Sequence, residues 1–401
     1  MVRRARRVVR VVAVGLGWLV LLVAVDAGIG FAWDELVGSH DDPPSLDARI
    51  MHNDAPATRL PRDSRVDSPA MAPYPWRHEY FRQFLGLRYT YLPYLYPRVR
   101  ETATSYFNSQ DGVRRSYEPD VSRAGTPVVW FFGGSTMWGE GQRDQHTIPS
   151  EVARLAEADG RPIQVVNFGE RGYTNWQEMM LFEQELAHRR SPDLVVFYDG
   201  LNERGIQDEQ RTGDPTHYDL ASISQALVDE HTVPEDGLPV PSARPAPPPA
   251  ELFDLWARYA EVSAVGKAVR RLQGMFSLAP AEARTSTRAL DPEDQRTVDD
   301  TVSIYLRGVS LERYLAVEHG VEPVFFWQPF EGSTQPGSPY QAATSAVSGH
   351  GIIDLTHALD NPGRPVYLDG GHTNELGAHL VARAMYEHLR SRLGPPAASD
   401  D

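Results

Sequence analysis

From Thr126 onward, short unbroken apolar runs alternate with longer stretches of helical spacing. Pro127–Phe132, Ile163–Val166, Asp193–Tyr198 and Val321–Trp327 read as strands, and Gly351–Asp354 as a fifth, weaker one. Continuous apolar runs of this length are expected of strands buried on both faces. Between and after them, helical spacing covers 148–158, 176–188 (with Met179, Met180 and Leu186 at core positions), about 251–273, 292–318 and 373–393. Strands alternating with helices predict an α/β protein with a parallel five-stranded sheet covered on both faces. This domain spans 126–393, and 394–401 reads as a disordered tail.

The flanks are patterned differently. Residues 34–75 are rich in Asp, Pro and Arg without periodicity and read as a stalk or poorly packed lead-in. Residues 76–125 carry many aromatics, among them Tyr89, Tyr91, Tyr94 and Tyr96, and read as an extension packing on the body through a short helix or an edge element. Between the third and fourth strands, 206–250 is polar and then proline-rich, as a surface loop or cover would be.

At the N-terminus Arg3, Arg4, Arg6, Arg7 and Arg10 precede the uncharged run Val11–Val25, and apolar character resumes to Trp33 after Asp26. The stretch Val11–Trp33 is long enough for a hydrocarbon core of about 30 Å. Residues 1–33 therefore read as a signal anchor, with a cleaved signal peptide ending near Val25-Asp26-Ala27 as the alternative. Either puts the body outside the cytoplasm, as a single-pass membrane protein or, after cleavage, a secreted one.

The chain has 401 residues and a formal charge of −15. From Asp34 onward 34 basic residues face 53 acidic ones, so a phosphate backbone would be repelled and nucleic acid is not expected as a partner. Cysteine is absent, which removes disulfides, thiol nucleophiles and thiolate metal sites. Lys267 is the single lysine, so lysine chemistry is nearly excluded too. Asp369, His372 and His379 are close in sequence, but no His-Glu-x-x-His pattern exists and two ligands with a distant third make a poor site, so no cofactor or metal is expected.

In an open parallel sheet, ligands bind beyond the carboxyl ends of the strands. After the successive strands come Gly133-Gly134-Ser135, then Gly172-Tyr173, then Gly200-Leu201-Asn202-Glu203, then Gln328; Asp369-Gly-Gly-His372 precedes the last helix. Each segment alone is an ordinary turn. Together they supply a hydroxyl (Ser135), a base to deprotonate it (His372) and a carboxylate to orient that base (Asp369). The Ser135 N–H, the Gly172 N–H and the Asn202 amide are candidate oxyanion donors. Trp138, Tyr173, Trp176, Trp327 and Gln328 are weaker candidates for contacting substrate, against ordinary packing. Arg171 reads as a surface salt bridge or a contact for an anionic substrate.

This set resembles the SGNH (GDSL-type) hydrolase superfamily over roughly 126–393, with all four sequence blocks in order. Gly134 stands where the name-giving motif has an acid, and Glu203 where an Asp usually follows the third-block Asn. The resemblance implies a flavodoxin-like three-layer αβα sandwich, a Ser135-His372-Asp369 triad and the oxyanion donors above. It implies an ester hydrolase removing O-acyl groups such as acetyl from an envelope carbohydrate or lipid. Two further readings keep the same residues in play: an O-acyltransferase, and a non-catalytic glycan-binding module.

Overall fold

The computed structural model describes residues 63–90, 92, 94–95, 98–121, 125–209, 213–217 and 290–395. The N-terminal segment 1–33, residues 218–250 of the insertion with its proline-rich part, the helix expected at 251–273 and the tail from 396 lie outside the described residues. Among the described residues no helix is long and apolar enough to cross a membrane.

In chain order the elements are α1 (Arg77–Leu85), β1 (Tyr89–Thr90), β2 (Arg98–Val99), β3 (Thr102–Ala103), β4 (Asn108–Gln110), β5 (Val113–Arg114), β6 (Val128–Gly133), α2 (Ser135–Trp138) and α3 (Ile148–Ala158). They continue with β7 (Gln164–Asn167), α4 (Asn175–His188), β8 (Leu194–Asp199), α5 (Leu201–Glu209), α6 (Pro292–Glu318), β9 (Glu322–Trp327), α7 (Pro339–Val347), β10 (Ile352–Asp354) and α8 (Glu375–Leu389).

The main sheet has the order β10-β9-β8-β6-β7-β5-β4-β3. Its first five strands are mutually parallel. The sheet is nevertheless mixed and eight-stranded, a correction to the all-parallel expectation: β5, β4 and β3 add an antiparallel meander at the β7 edge. These strands are two or three residues long and only partly buried, so they lack the apolar runs by which the longer strands are recognised.

Strand alternation sorts the core into two sides. Val129, Phe131, Val196, Tyr198, Val324 and Phe326 meet Val152, Ala153 and Ala156 of α3 and Ala378, Val381 and Met385 of α8. Trp130, Phe132, Val195, Phe197, Phe325 and Trp327 meet Leu181, Phe182 and Leu186 of α4, Tyr305 and Val309 of α6 and Tyr340 of α7. The period of two along each strand thus buries both faces under helices. On α4 the deepest side chains are Leu181 and Phe182, while Met180 is only partly buried.

The lead-in is also better packed than its composition suggests. Val66, Ala70 and Met71 join Tyr80, Phe81, Phe84, Phe107 and Trp138 in a third apolar cluster, and Asp63 and Arg65 are buried. Residues 63–75 therefore belong to the body and not to the stalk read over 34–75, of which residues 34–62 lie outside the described residues.

Candidate active site

Beyond β6 the chain returns to β7 on one side and to β8 on the other, so β6 is the switch point of the parallel sheet, where an open α/β sheet leaves a crevice. Gly134 follows β6 in extended backbone, and Ser135 opens the one-turn helix α2. A Cβ at Gly134 would lie 2.4 Å from the Asn202 amide nitrogen and 3.2 Å from the Tyr173 carbonyl oxygen, so an acidic side chain has no room there.

The loop before α8 builds its own geometry. The Leu368 N–H donates to the His372 carbonyl at 2.8 Å. Asp369 Oδ1 accepts the backbone N–H groups of Gly371 at 2.9 Å and His372 at 2.8 Å. This turn brings the ring back over its own carboxylate, with His372 Nδ1 2.8 Å from Asp369 Oδ2. The ring's other nitrogen, Nε2, lies 2.7 Å from Ser135 Oγ. A carboxylate can only accept, so Nδ1 carries the proton and Nε2 accepts from the serine hydroxyl.

Electrostatics keep Asp369 ionised as that acceptor. Burial works against the charge of Asp369, but His372, Arg65 and the backbone donors outweigh it and hold the carboxyl well below its ordinary range. Burial also works against protonated His372, yet Asp369 and Glu140 leave the imidazole more basic than usual.

Asn202 lies in the first turn of α5, and its Nδ2 donates to the Tyr173 carbonyl at 2.6 Å. Glu203, beside it, accepts the Gly200 N–H at 2.6 Å and the Asn175 N–H at 2.9 Å. The Asp-to-Glu departure therefore ties the turn after β8 to the start of α4. Gly172 occupies the turn before Tyr173 at a φ of 74°.

The aromatic candidates belong to the interior. Trp138, Tyr173 and Trp327 are 2%, 1% and 0% exposed. Trp138 stacks on Phe107 and lies under the Arg114 guanidinium, and the Trp327 Nε1–H donates to Thr344 at 2.9 Å. These three are packing residues, a correction to the substrate-contacting reading. Gln328 is buried and accepts the Thr136 hydroxyl at 2.9 Å, bracing the residue after Ser135. Trp176 is half-buried, its ring N–H directed to the Ile304 carbonyl at 3.4 Å. His379 lies away from this group, paired with Glu151 at 2.9 Å.

Sequence reasoning missed Arg65 and Glu140. Arg65 donates to Asp369 Oδ2 at 3.3 Å, to Asp63 and to Glu140. Glu140, 1% exposed, also accepts Arg171 Nε at 2.6 Å, so the Arg171 ion pair is an interior one and not a surface bridge. No periodicity marks Arg65. Glu140 had one visible signal, its flanking by Gly139 and Gly141, both at positive φ.

The chain thus has a parallel α/β core with a serine beyond its switch-point strand, an Asn in the first turn of the helix after the third core strand and an Asp-x-x-His turn before the last helix, the arrangement expected from the SGNH resemblance. Among solved structures it is similar to the lipase Lip_vut3 from a goat rumen metagenome, at 8% identity over 67% of this chain and 100% of that one, with a TM-score of 0.38. An acetyl-xylooligosaccharide esterase variant from Geobacillus Stearmophilus shares 14% identity over 69% and 97%, with a TM-score of 0.36. A psychrotrophic esterase from Pseudoalteromonas sp. shares 10% over 67% and 98%, with a TM-score of 0.35. No family model and no curated protein matches the sequence.

Proposed function

We propose that this chain is a serine ester hydrolase working through an acyl-enzyme. One observation supports this above all: the Ser135 hydroxyl, the His372 ring and the Asp369 carboxylate form a continuous hydrogen-bonded line, at 2.7 and 2.8 Å. In this reading His372 Nε2 takes the hydroxyl proton as Ser135 Oγ attacks the ester carbonyl, and Asp369 stabilises the imidazolium. The oxyanion is met by the Ser135 N–H, which opens α2 with no preceding turn to receive it, by the Gly172 N–H and by the second hydrogen of the Asn202 amide. The alcohol leaves with the proton from His372, and water then releases the acyl group by the same steps in reverse order.

The substrate we propose is an O-acyl ester, acetyl among them, on a cell-envelope carbohydrate or lipid. Its support is the arginine-flanked apolar N-terminus, which would hold the domain outside the cytoplasm.

The test is hydrolysis of p-nitrophenyl acetate by the full chain, together with fluorophosphonate labelling located by mass spectrometry. Ser135→Ala and His372→Ala are each expected to lower kcat by about 10³-fold or more, and labelling should fall on Ser135. Undiminished turnover in Ser135→Ala would remove the reading.

A further inference from the structure

His372 Nε2 faces two oxygen-bearing groups. Ser135 Oγ is at 2.7 Å, and Glu140 Oε2 is at 3.8 Å on the same nitrogen. Glu140 is not placed there by chance contact of a mobile chain. It is buried, it follows α2 by two residues, and two guanidiniums hold its carboxylate: Arg65 donates to Oε1, and Arg171 donates to Oε2 at 2.6 Å and to Oε1 at 3.5 Å. Arg65 reaches on to Asp369 at 3.3 Å, on the other side of the ring, and is itself gripped by Asp63 at 2.7 and 3.0 Å. Arg171 is braced by the Tyr89 hydroxyl. The charged groups around the imidazole are thus Asp369 from its own loop, Glu140 from the turn after α2 and Arg65 from the lead-in, with Arg171 behind Glu140. Asp63, Glu140 and Asp369 bring three negative charges, and Arg65 and Arg171 two positive ones. The group is short of one positive charge, which His372 supplies when it takes the serine proton.

We propose that Glu140 is a positioning residue for His372: its carboxylate, clamped by Arg65 and Arg171, braces the ring from the Nε2 side and offsets the charge that the ring gains when it takes the serine proton. The proposal rests on the acyl-enzyme reading for its role in turnover, although the ring's ionisation can be measured without any activity. A carboxylate within about 4–6 Å of an ionising group shifts it by about 1–3 units toward the charged form. Glu140 therefore makes the imidazole more basic while the two guanidiniums keep the carboxylate itself from taking the proton. Burial opposes the charge of Glu140, but Arg171, His372 and Arg65 overcome it and hold its pKa well below the ordinary range.

Opposite substitutions give opposite shifts. Glu140→Gln removes the negative charge and leaves both guanidiniums, so the pKa of His372 should fall by about 1–3 units, read from the ring Cε1–H resonance that disappears in His372→Gln. The acid limb of kcat/KM should move to lower pH by the same amount, with kcat reduced about tenfold and KM little changed. Glu140→Asp retains the charge and should restore the higher pKa. Arg171→Gln leaves Glu140 less neutralised, and there the His372 resonance should titrate at higher pH; this variant also serves if Glu140→Gln does not fold. Resonances that titrate within a few tenths of a unit of the wild type in the folded variants would overturn the proposal. If the wild type hydrolyses no ester, or Ser135→Ala retains full turnover, the acyl-enzyme reading fails, while the ring titration still judges Glu140.

Discussion

Two sets of carboxyls lie at the carboxyl end of the parallel strands, and their surroundings drive them in opposite directions. Around His372, Asp63, Glu140 and Asp369 are interleaved with Arg65 and Arg171. Glu140 and Asp369 are pulled below the ordinary carboxylate range in spite of burial. On the α4 and α6 side, Glu178, Asp199, Glu203 and Glu312 are all buried, as Asp63 and Glu140 are, but among the described residues no guanidinium forms an ion pair with their oxygens. Burial first, and then mutual repulsion, pushes Glu178, Asp199 and Glu312 well above the usual values. The side-chain oxygens of Glu178, Asp199 and Glu312 have no hydrogen-bond partner among the described residues, and their raised pKa values favour the protonated, neutral forms. Asp63 and Glu140 are as deeply buried as the second set while Asp369 is half-buried, and what separates Glu140 from Glu178, Asp199 and Glu312 is that arginines are interleaved around it. Arginine suits the first because its planar fork can meet several carboxylates at once and stays charged when dehydrated.

The largest effect that would sharpen this contrast comes from Arg65→Met. It leaves Asp63, Glu140 and Asp369 short of their shared cation, and the expected loss is about 3–5 kcal/mol in urea unfolding, the range for breaking a buried ion pair from one side. A loss under about 1 kcal/mol would mean that the interleaving does not matter.

A smaller effect lies in pH. Carboxyls whose folded pKa is raised bind more protons in the native state, so their stabilisation is complete below the unfolded value and declines as pH rises toward the folded one. Glu178, Asp199 and Glu312 act in this sense, as does Glu170, which burial pushes up to about 8. Glu140 and Asp369 act in the opposite sense: their stabilisation is present above the unfolded value and is lost as pH falls through the folded one. The urea midpoint should therefore decline on both sides of a maximum, the alkaline decline coming from the acid set. Glu312→Gln should flatten that decline and add on the order of 1–2 kcal/mol at pH 8, since one raised carboxyl is then neutral at every pH. An unchanged alkaline limb would contradict the assignment of these groups.

The smallest effect is at Glu203, the acid with two backbone donors. Glu203→Gln keeps one acceptor oxygen for the N–H groups of Gly200 and Asn175, so stability should fall by about 1 kcal/mol. Ester turnover should fall with it, because the turn that carries Asn202 loosens. A variant as active and stable as the wild type would separate this acid from the site.

The parallel strands were legible because each is a run of apolar residues that only a twice-covered strand can use, and their bounds differ from the expectation by a residue or so at Val128–Gly133 and Leu194–Asp199. Ser135, Asp369 and His372 were legible as strand-end and pre-helix residues, and the structure brings the three together. The antiparallel meander was not legible, since strands as short as Thr102–Ala103 carry no alternation to read. The aromatic rim was misread for a related reason. Trp138 and Trp327 follow or end strands as a binding residue would, and only packing decides which way such a ring turns.

The order of strands and helices and the types of reactive side chain at the strand ends follow from the sequence alone, because local periodicity and turn chemistry act over a few residues. The charge state of the site does not. It depends on Arg65 meeting Asp369 from 304 positions away and Glu140 from 75. Coulomb interactions and burial depend on distance in space, and the tertiary structure alone sets which cation lies beside which acid.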